Sequence, residues 1–156
     1  MQLTTGEYDI RIELDLPIPI EAAWILLSTP EALSIWWGAH VTLDARAGGH
    51  FREEWERDGQ PVVTNGTVLR CEPPALLEMT WADNSWSGQS RVRIMLEETP
   101  PREDPNGCRL ILEHCDWQHV RTDDPAALIA AHARGWQRHL QKLAALASTV
   151  AGGDIA

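Results

Sequence analysis

Between residues 7 and 16 apolar and polar side chains alternate without a fault, which commits the segment to a strand with one buried and one wet face. Tyr8, Ile10, Ile12, Leu14 and Leu16 take one side, and Glu7, Asp9, Arg11, Glu13 and Asp15 take the other. A sheet with one face in water is ordinarily antiparallel. From His40 to Trp117 the pattern is strand after strand, near 40–45, 50–57, 61–72, 75–82, 89–98 and 107–117. Gly48-Gly49, Asp58-Gly59, Pro73-Pro74, 84–88 and 100–107 are the breaks. Asn65-Gly66 competes with Asp58-Gly59 for the hairpin after Phe51, but would leave Gly59 and Pro61 inside a strand, where both are poorly tolerated. Asp58-Gly59 is therefore read as the turn and Gly66 as a bulge.

Pro17 and Pro19 stop the first strand, and Ile20, Ala23, Trp24 and Leu27 then follow helical spacing. Thr29 as cap, Pro30 at the first position and Glu31 at the positive dipole end open a second short helix, which ends around Trp36-Trp37-Gly38. The last element is the longest. Asp123 or Asp124 caps, Pro125 opens, and a helix is expected to about Ser148, with Leu128, His132, Trp136, Leu140, Leu143 and Ala147 on one stripe. Residues 1–148 read as a single domain and 149–156 as a flexible C-terminal tail. The fold class that follows is α+β: a curved antiparallel sheet of about seven strands around a long C-terminal helix, with two short helices after the first strand. The long helix is the only element large enough to cover the apolar sheet face, and the space between them is a natural ligand cavity.

The net charge of −10 argues against a nucleic-acid partner and against a polybasic membrane anchor. The longest apolar runs, Ala22–Leu27 and Ala126–Ala131, are six residues each, against about 20 for a membrane span. The opening residues carry no secretory pattern, and the three cysteines show no C-x-x-C, so free thiols and a cytoplasmic location are expected. No nucleotide-binding or serine-hydrolase motif is present. His114, Cys115, Asp116 and His119 lie close in sequence, but His114 and Cys115 face opposite ways on a strand and the spacing fits no zinc pattern. The expectation is no metal and no cofactor.

Several segments resemble a known family. Ile20-Glu21-Ala22-Ala23-Trp24, Thr29-Pro30-Glu31-Ala32-Leu33 and Trp36-Trp37-Gly38 are similar to its opening helices. Gly48-Gly49-His50-Phe51-Arg52 resembles its "GGxFR" strand start. Glu72-Pro73-Pro74 with Leu77, Met79, Thr80 and Trp81 resembles its "PPxxLxFTW" stretch, and the run from Arg109 to His114 with Gly135-Trp136 completes the match. The family is the START-like, helix-grip (SRPBCC) group related to the C-terminal domain of the activator of the ninety-kilodalton heat-shock chaperone's ATPase. The resemblance covers about residues 7 to 147 and implies the helix-grip fold. The wider superfamily includes lipid carriers, aromatic polyketide cyclases, oxygenase domains and antibiotic-resistance proteins, so the resemblance does not select one activity.

Alternation assigns the side chains that face the cavity. Phe51, Glu53 and Trp55 share one face of their strand; Leu77, Met79 and Trp81, then Val92, Ile94 and Leu96, then Cys108, Leu110, Leu112 and His114 do the same on theirs. Glu53 is the most informative, because an acid between two inward aromatics must be neutralised, paired or hydrogen-bonded. It either serves as a proton donor or acceptor, or sits at the rim or pairs with an arginine such as Arg70. His114 and His132 complete a possible acid–base group, each with the alternative of a satisfied core histidine. His139 lies off the stripe and reads as surface. Trp24, Trp36 and Trp37 read as core. Trp55, Trp81 and Trp136 either stack on a flat ligand or fill the space, and Trp86 caps the entrance or folds back on the sheet.

The leading expectation is a binding module for a small apolar or aromatic molecule held by Phe51, Glu53, Trp55, Met79, Trp81, His114, His132 and Trp136. The alternative is a cyclase- or hydrolase-like enzyme using Glu53 with His114 or His132. A co-chaperone-like protein-interaction domain is implied by the family resemblance alone, with the expectation that the additional N-terminal domain of the eukaryotic activators is lacking here.

Overall fold

The alternating segment at the start of the chain becomes strand β2, Ile10–Leu16, whose Ile10, Ile12, Leu14 and Leu16 are at most 7% exposed. Tyr8, expected on that face, lies before the strand begins and is 40% exposed. The computed structural model describes residues 1–100 and 103–153. Ahead of β2 runs β1, Gln2–Thr5, antiparallel to it. This strand was not foreseen. Its short polar sequence carries no alternation, because an edge strand can be held by main-chain bonds to one neighbour. Helices α1, Ile20–Ser28, and α2, Pro30–Trp36, follow. Thr29 caps α2 as expected, accepting from the Ala32 N–H.

Six further strands then run β3 Val41–Leu43, β4 His50–Arg57, β5 Gln60–Glu72, β6 Leu76–Asp83, β7 Ser90–Glu98 and β8 Cys108–Cys115. The sheet has eight strands rather than about seven, all antiparallel, in the order β1-β2-β8-β7-β6-β5-β4-β3. The β3–β8 run is the expected meander, and β8 returns to lie beside β2. Asp58 and Gly59 make the β4–β5 turn, both at positive φ (52° and 77°), the backbone a tight two-residue hairpin requires.

Gly66 is not a bulge. It pairs regularly with Phe51, and a Cβ there would stand 2.0 Å from the Thr80 carbonyl oxygen on β6. Close backbone approach is what this glycine serves. The bulge lies between Val68 and Arg70, where the β5–β6 register shifts by one residue.

After a single 3₁₀ turn at Trp117–His119, helix α3 spans Pro125–Ala151, capped by Asp124. It runs three residues beyond the expected end, so 149–151 are helical; of the expected tail, residues 154–156 lie outside the described residues. Ile129, Ala133, Trp136, Leu140, Leu143 and Ala147 turn into the core against the sheet's inner face. The outer face carries ion pairs between strands: Arg93 with Glu78 and Glu113, Arg11 with Glu113, and Arg109 with Asp15. No described helix is long and apolar enough to cross a membrane.

Candidate functional site

The aromatic residues divide the interior into a filled part and an open part. Trp37 and Phe51 (ring centroids 5.1 Å apart), Phe51 and Trp81 (5.2 Å), and Trp81 and Trp136 (5.3 Å) pack as one cluster. Phe51 and Met79 have no exposure and sit within the core rather than on a cavity wall. Outside this cluster, between α3 and strands β4, β5 and β6, lies an open cavity of about 440 Å³. The sheet contributes Glu53, Trp55, Arg57, Thr64 and Trp81. From α3 come Ala131, His132, Gly135, Trp136 and His139, with Arg134 and Arg138 at the exposed margin.

Of the residues expected here, Glu53, Trp55, Trp81, His132 and Trp136 line the cavity; Phe51, Met79 and His114 do not. His114 is fully buried behind the wall. Its Nδ1 accepts from the Trp136 indole N–H at 3.0 Å, which leaves the proton on Nε2, 2.7 Å from Ser90 Oγ. Ser90 Oγ in turn donates to the Trp81 carbonyl. Burial, with the nearby His132, drives the His114 pKa far down and keeps the ring neutral.

Glu53 is 8% exposed, and its partner is His40, with Nε2 2.8 Å from the carboxylate; Arg70 pairs with Glu72 instead. Burial pushes the Glu53 carboxyl up from its ordinary range, while the hydrogen bond and charge of His40 pull it back. His40 carried no sequence signal, because it enters from the loop before β3 and meets Glu53 only through the β3–β4 pairing.

His132 donates Nδ1–H to the Leu128 carbonyl one turn back (3.0 Å), leaving the Nε2 lone pair as the free acceptor. Burial lowers its pKa, opposed by that hydrogen bond and by Asp83. Trp86 folds back over this ring and Trp117, at 5.5 and 5.6 Å, rather than standing over an entrance. His139 is not a surface residue. Its ring lies tilted against Trp37 and edge-on to Trp136, and burial with the charges of Arg138 and Lys142 brings its pKa down to about 4. Helical spacing held the clue, since His132, Trp136 and His139 stand at i, i+4 and i+7.

A buried polar chain completes the sheet side. The Trp55 indole donates to Thr64 Oγ1 (3.0 Å), and Thr64 donates to Asp83 Oδ1 (2.6 Å). Asp83 is 3% exposed, with the Arg57 guanidinium 3.8 Å from its other oxygen and 4.8 Å over the Trp55 ring. The cavity thus offers ring faces for an apolar body, a carboxyl group with raised pKa and a neutral imidazole as proton-handling groups, and arginines at its margin.

A curved antiparallel sheet closed on one long helix, with a cavity between the two, defines a helix-grip domain. The model for the family described as Activator of Hsp90 ATPase homolog 1-like protein matches residues 17–148, and the chain belongs to that family. Among solved structures, CalU16 from Micromonospora echinospora is 26% identical with a TM-score of 0.66, over 90% of this chain and 76% of that one. A Rhodobacter sphaeroides protein at 18% identity gives a TM-score of 0.74 over 95% and 97% of the two chains. DynU16, from the dynemicin biosynthetic locus, is 19% identical with a TM-score of 0.72 over 92% of this chain and 48% of that one. The last two likenesses are of fold alone. No curated protein matches the sequence.

Proposed function

We propose that this protein binds a small apolar or aromatic molecule in the cavity between its sheet and α3. The observation that carries the reading is an open cavity of about 440 Å³ with Trp55, Trp81 and Trp136 on its walls, and with Glu53, Thr64 and His132 as polar groups beside the rings. That volume lies within the range of about 300–1,000 Å³ typical of small-molecule sites.

Gly135 provides the test. It lines the cavity, and a Cβ there would meet only the end of the Arg138 side chain at 4.0 Å. Gly135→Leu projects a branched side chain into the cavity between Trp55, Trp81 and Trp136 while favouring the helix by about 1 kcal/mol. Binding of N-phenyl-1-naphthylamine, a neutral fluorescent aromatic, is expected in the wild type and lost in the variant, with thermal stability held or raised. Failure of the wild type to bind, or equal binding by the plugged variant, would overturn the reading.

A second reading, acid–base catalysis, rests on Glu53, which lines the cavity with a carboxyl pKa above its ordinary range. Its partner on the helix would be His132, whose Nε2 is free, and not His114, whose two nitrogens are both engaged. Glu53→Gln keeps the shape and removes the proton. Loss of turnover with ligand affinity retained supports catalysis, and loss of affinity alone supports the binding module.

A further inference from the structure

We infer that the ligand is an acid, an aromatic or apolar body whose anionic group is held at the cavity margin by Arg134 and Arg138. This rests on the cavity being a small-molecule site.

The charge distribution of α3 carries the inference. The chain holds twenty-three acidic residues, yet the twenty-seven residues of α3 include no Asp or Glu. Its cations are Arg134, Arg138 and Lys142, each one turn from the next on the same side of the helix. Like charges at this spacing destabilise a helix. Elsewhere Arg11, Arg46, Arg52, Arg57, Arg70, Arg91, Arg93 and Arg109 each lie within 4.0 Å of a carboxylate, while Arg121, which does not line the cavity, lies near none among the described residues. Among the described residues, Arg134 and Arg138 have no such partner, and both border the cavity.

The cavity's own carboxylates do not supply the missing charge. Glu53 is engaged by His40, and Asp83 accepts from Thr64 and faces Arg57. The cations project beside a low-dielectric wall of tryptophan rings, where their field is less screened than on an open surface. Burial chiefly, and then the charges of Arg138 and Lys142, also hold the pKa of His139 down. Guanidinium groups recognise carboxylates, sulfonates and phosphates through paired N–H donors. The rings receive the body and the margin receives the anion.

Two probes sharing one ring skeleton separate this from the underlying reading. N-phenyl-1-naphthylamine is neutral, and 8-anilino-1-naphthalenesulfonate is the same skeleton with a sulfonate. The sulfonate is expected to bind about tenfold tighter at low salt, with the ratio falling as ionic strength rises. In the double variant Arg134→Gln/Arg138→Gln the ratio of the two affinities should collapse toward one, with circular dichroism checking that the fold is retained. Binding of both probes with a ratio near one, or a ratio unchanged in the double variant, overturns the anion inference and leaves the cavity reading standing. Failure of both probes to bind, or binding unaffected by Gly135→Leu, locates the fault in the cavity reading and removes the inference with it.

Discussion

Lowering the pH from 7 to 5 should destabilise this protein through histidines that the fold keeps neutral, and His139 allows the magnitude to be worked out. Unfolded, its imidazole titrates near 6.5; folded, burial and neighbouring cations bring it to about 4. At pH 5 the unfolded chain holds about 0.97 of a proton at that ring and the folded chain about 0.1. A histidine held down in the folded state contributes stability that is complete above the unfolded pKa and is lost as the pH falls below it, down to the folded pKa. Integrated from pH 7 to 5, the His139 loss is about 2 kcal/mol. His114, fully buried and far below its ordinary pKa, and His132 act in the same direction. Glu53 opposes them, because its raised pKa lets the folded state take up a proton before the unfolded chain does.

The assay is urea unfolding at pH 7 and pH 5, at fixed ionic strength, on the wild type and His139→Gln. The wild type should lose stability between pH 7 and pH 5, and the variant should lose about 2 kcal/mol less than the wild type. A pH-dependent loss equal in the two proteins, to within about 0.5 kcal/mol, would refute the assignment of His139 as a buried neutral base.

Trp136→Phe removes the indole N–H that His114 Nδ1 accepts inside the core, and leaves a partly empty volume beside it; the expected cost is about 2–4 kcal/mol, read from the guanidinium midpoint, and a loss below about 1 kcal/mol would contradict the hydrogen bond. Gly66→Ala should cost about 2 kcal/mol or more, because its Cβ would press on the Thr80 main-chain oxygen at 2.0 Å, whereas Gly48→Ala meets open space and carries only the strain of positive φ, about 1 kcal/mol; equal thermal shifts in the two would argue against close strand approach.

The strands and the long helix were legible because their signals are local. Alternation placed Ile10, Ile12, Leu14 and Leu16 inside, and the start signals at Thr29-Pro30 and Asp124-Pro125 located two helices. The same alternation turned Glu53 inward and set His114 on the buried face. Partners were not legible, because they depend on which strands become neighbours and in what register. His40 meets Glu53 across β3–β4, Thr64 meets Asp83 across β5–β6, and Trp136 reaches His114 from the helix to the sheet. The β1 edge strand escaped because main-chain pairing needs no side-chain pattern, and His139 escaped because its place depends on how α3 is rotated over the sheet.

Periodicity along the chain thus determined which side chains turn inward and that one helix would have to cover them. Only the tertiary structure decided which of those side chains meet an open cavity and which are closed off by their neighbours. Facing inward is a property of one element, whereas being accessible depends on the rings that several elements bring to the same volume, and eight tryptophans leave little of that volume empty.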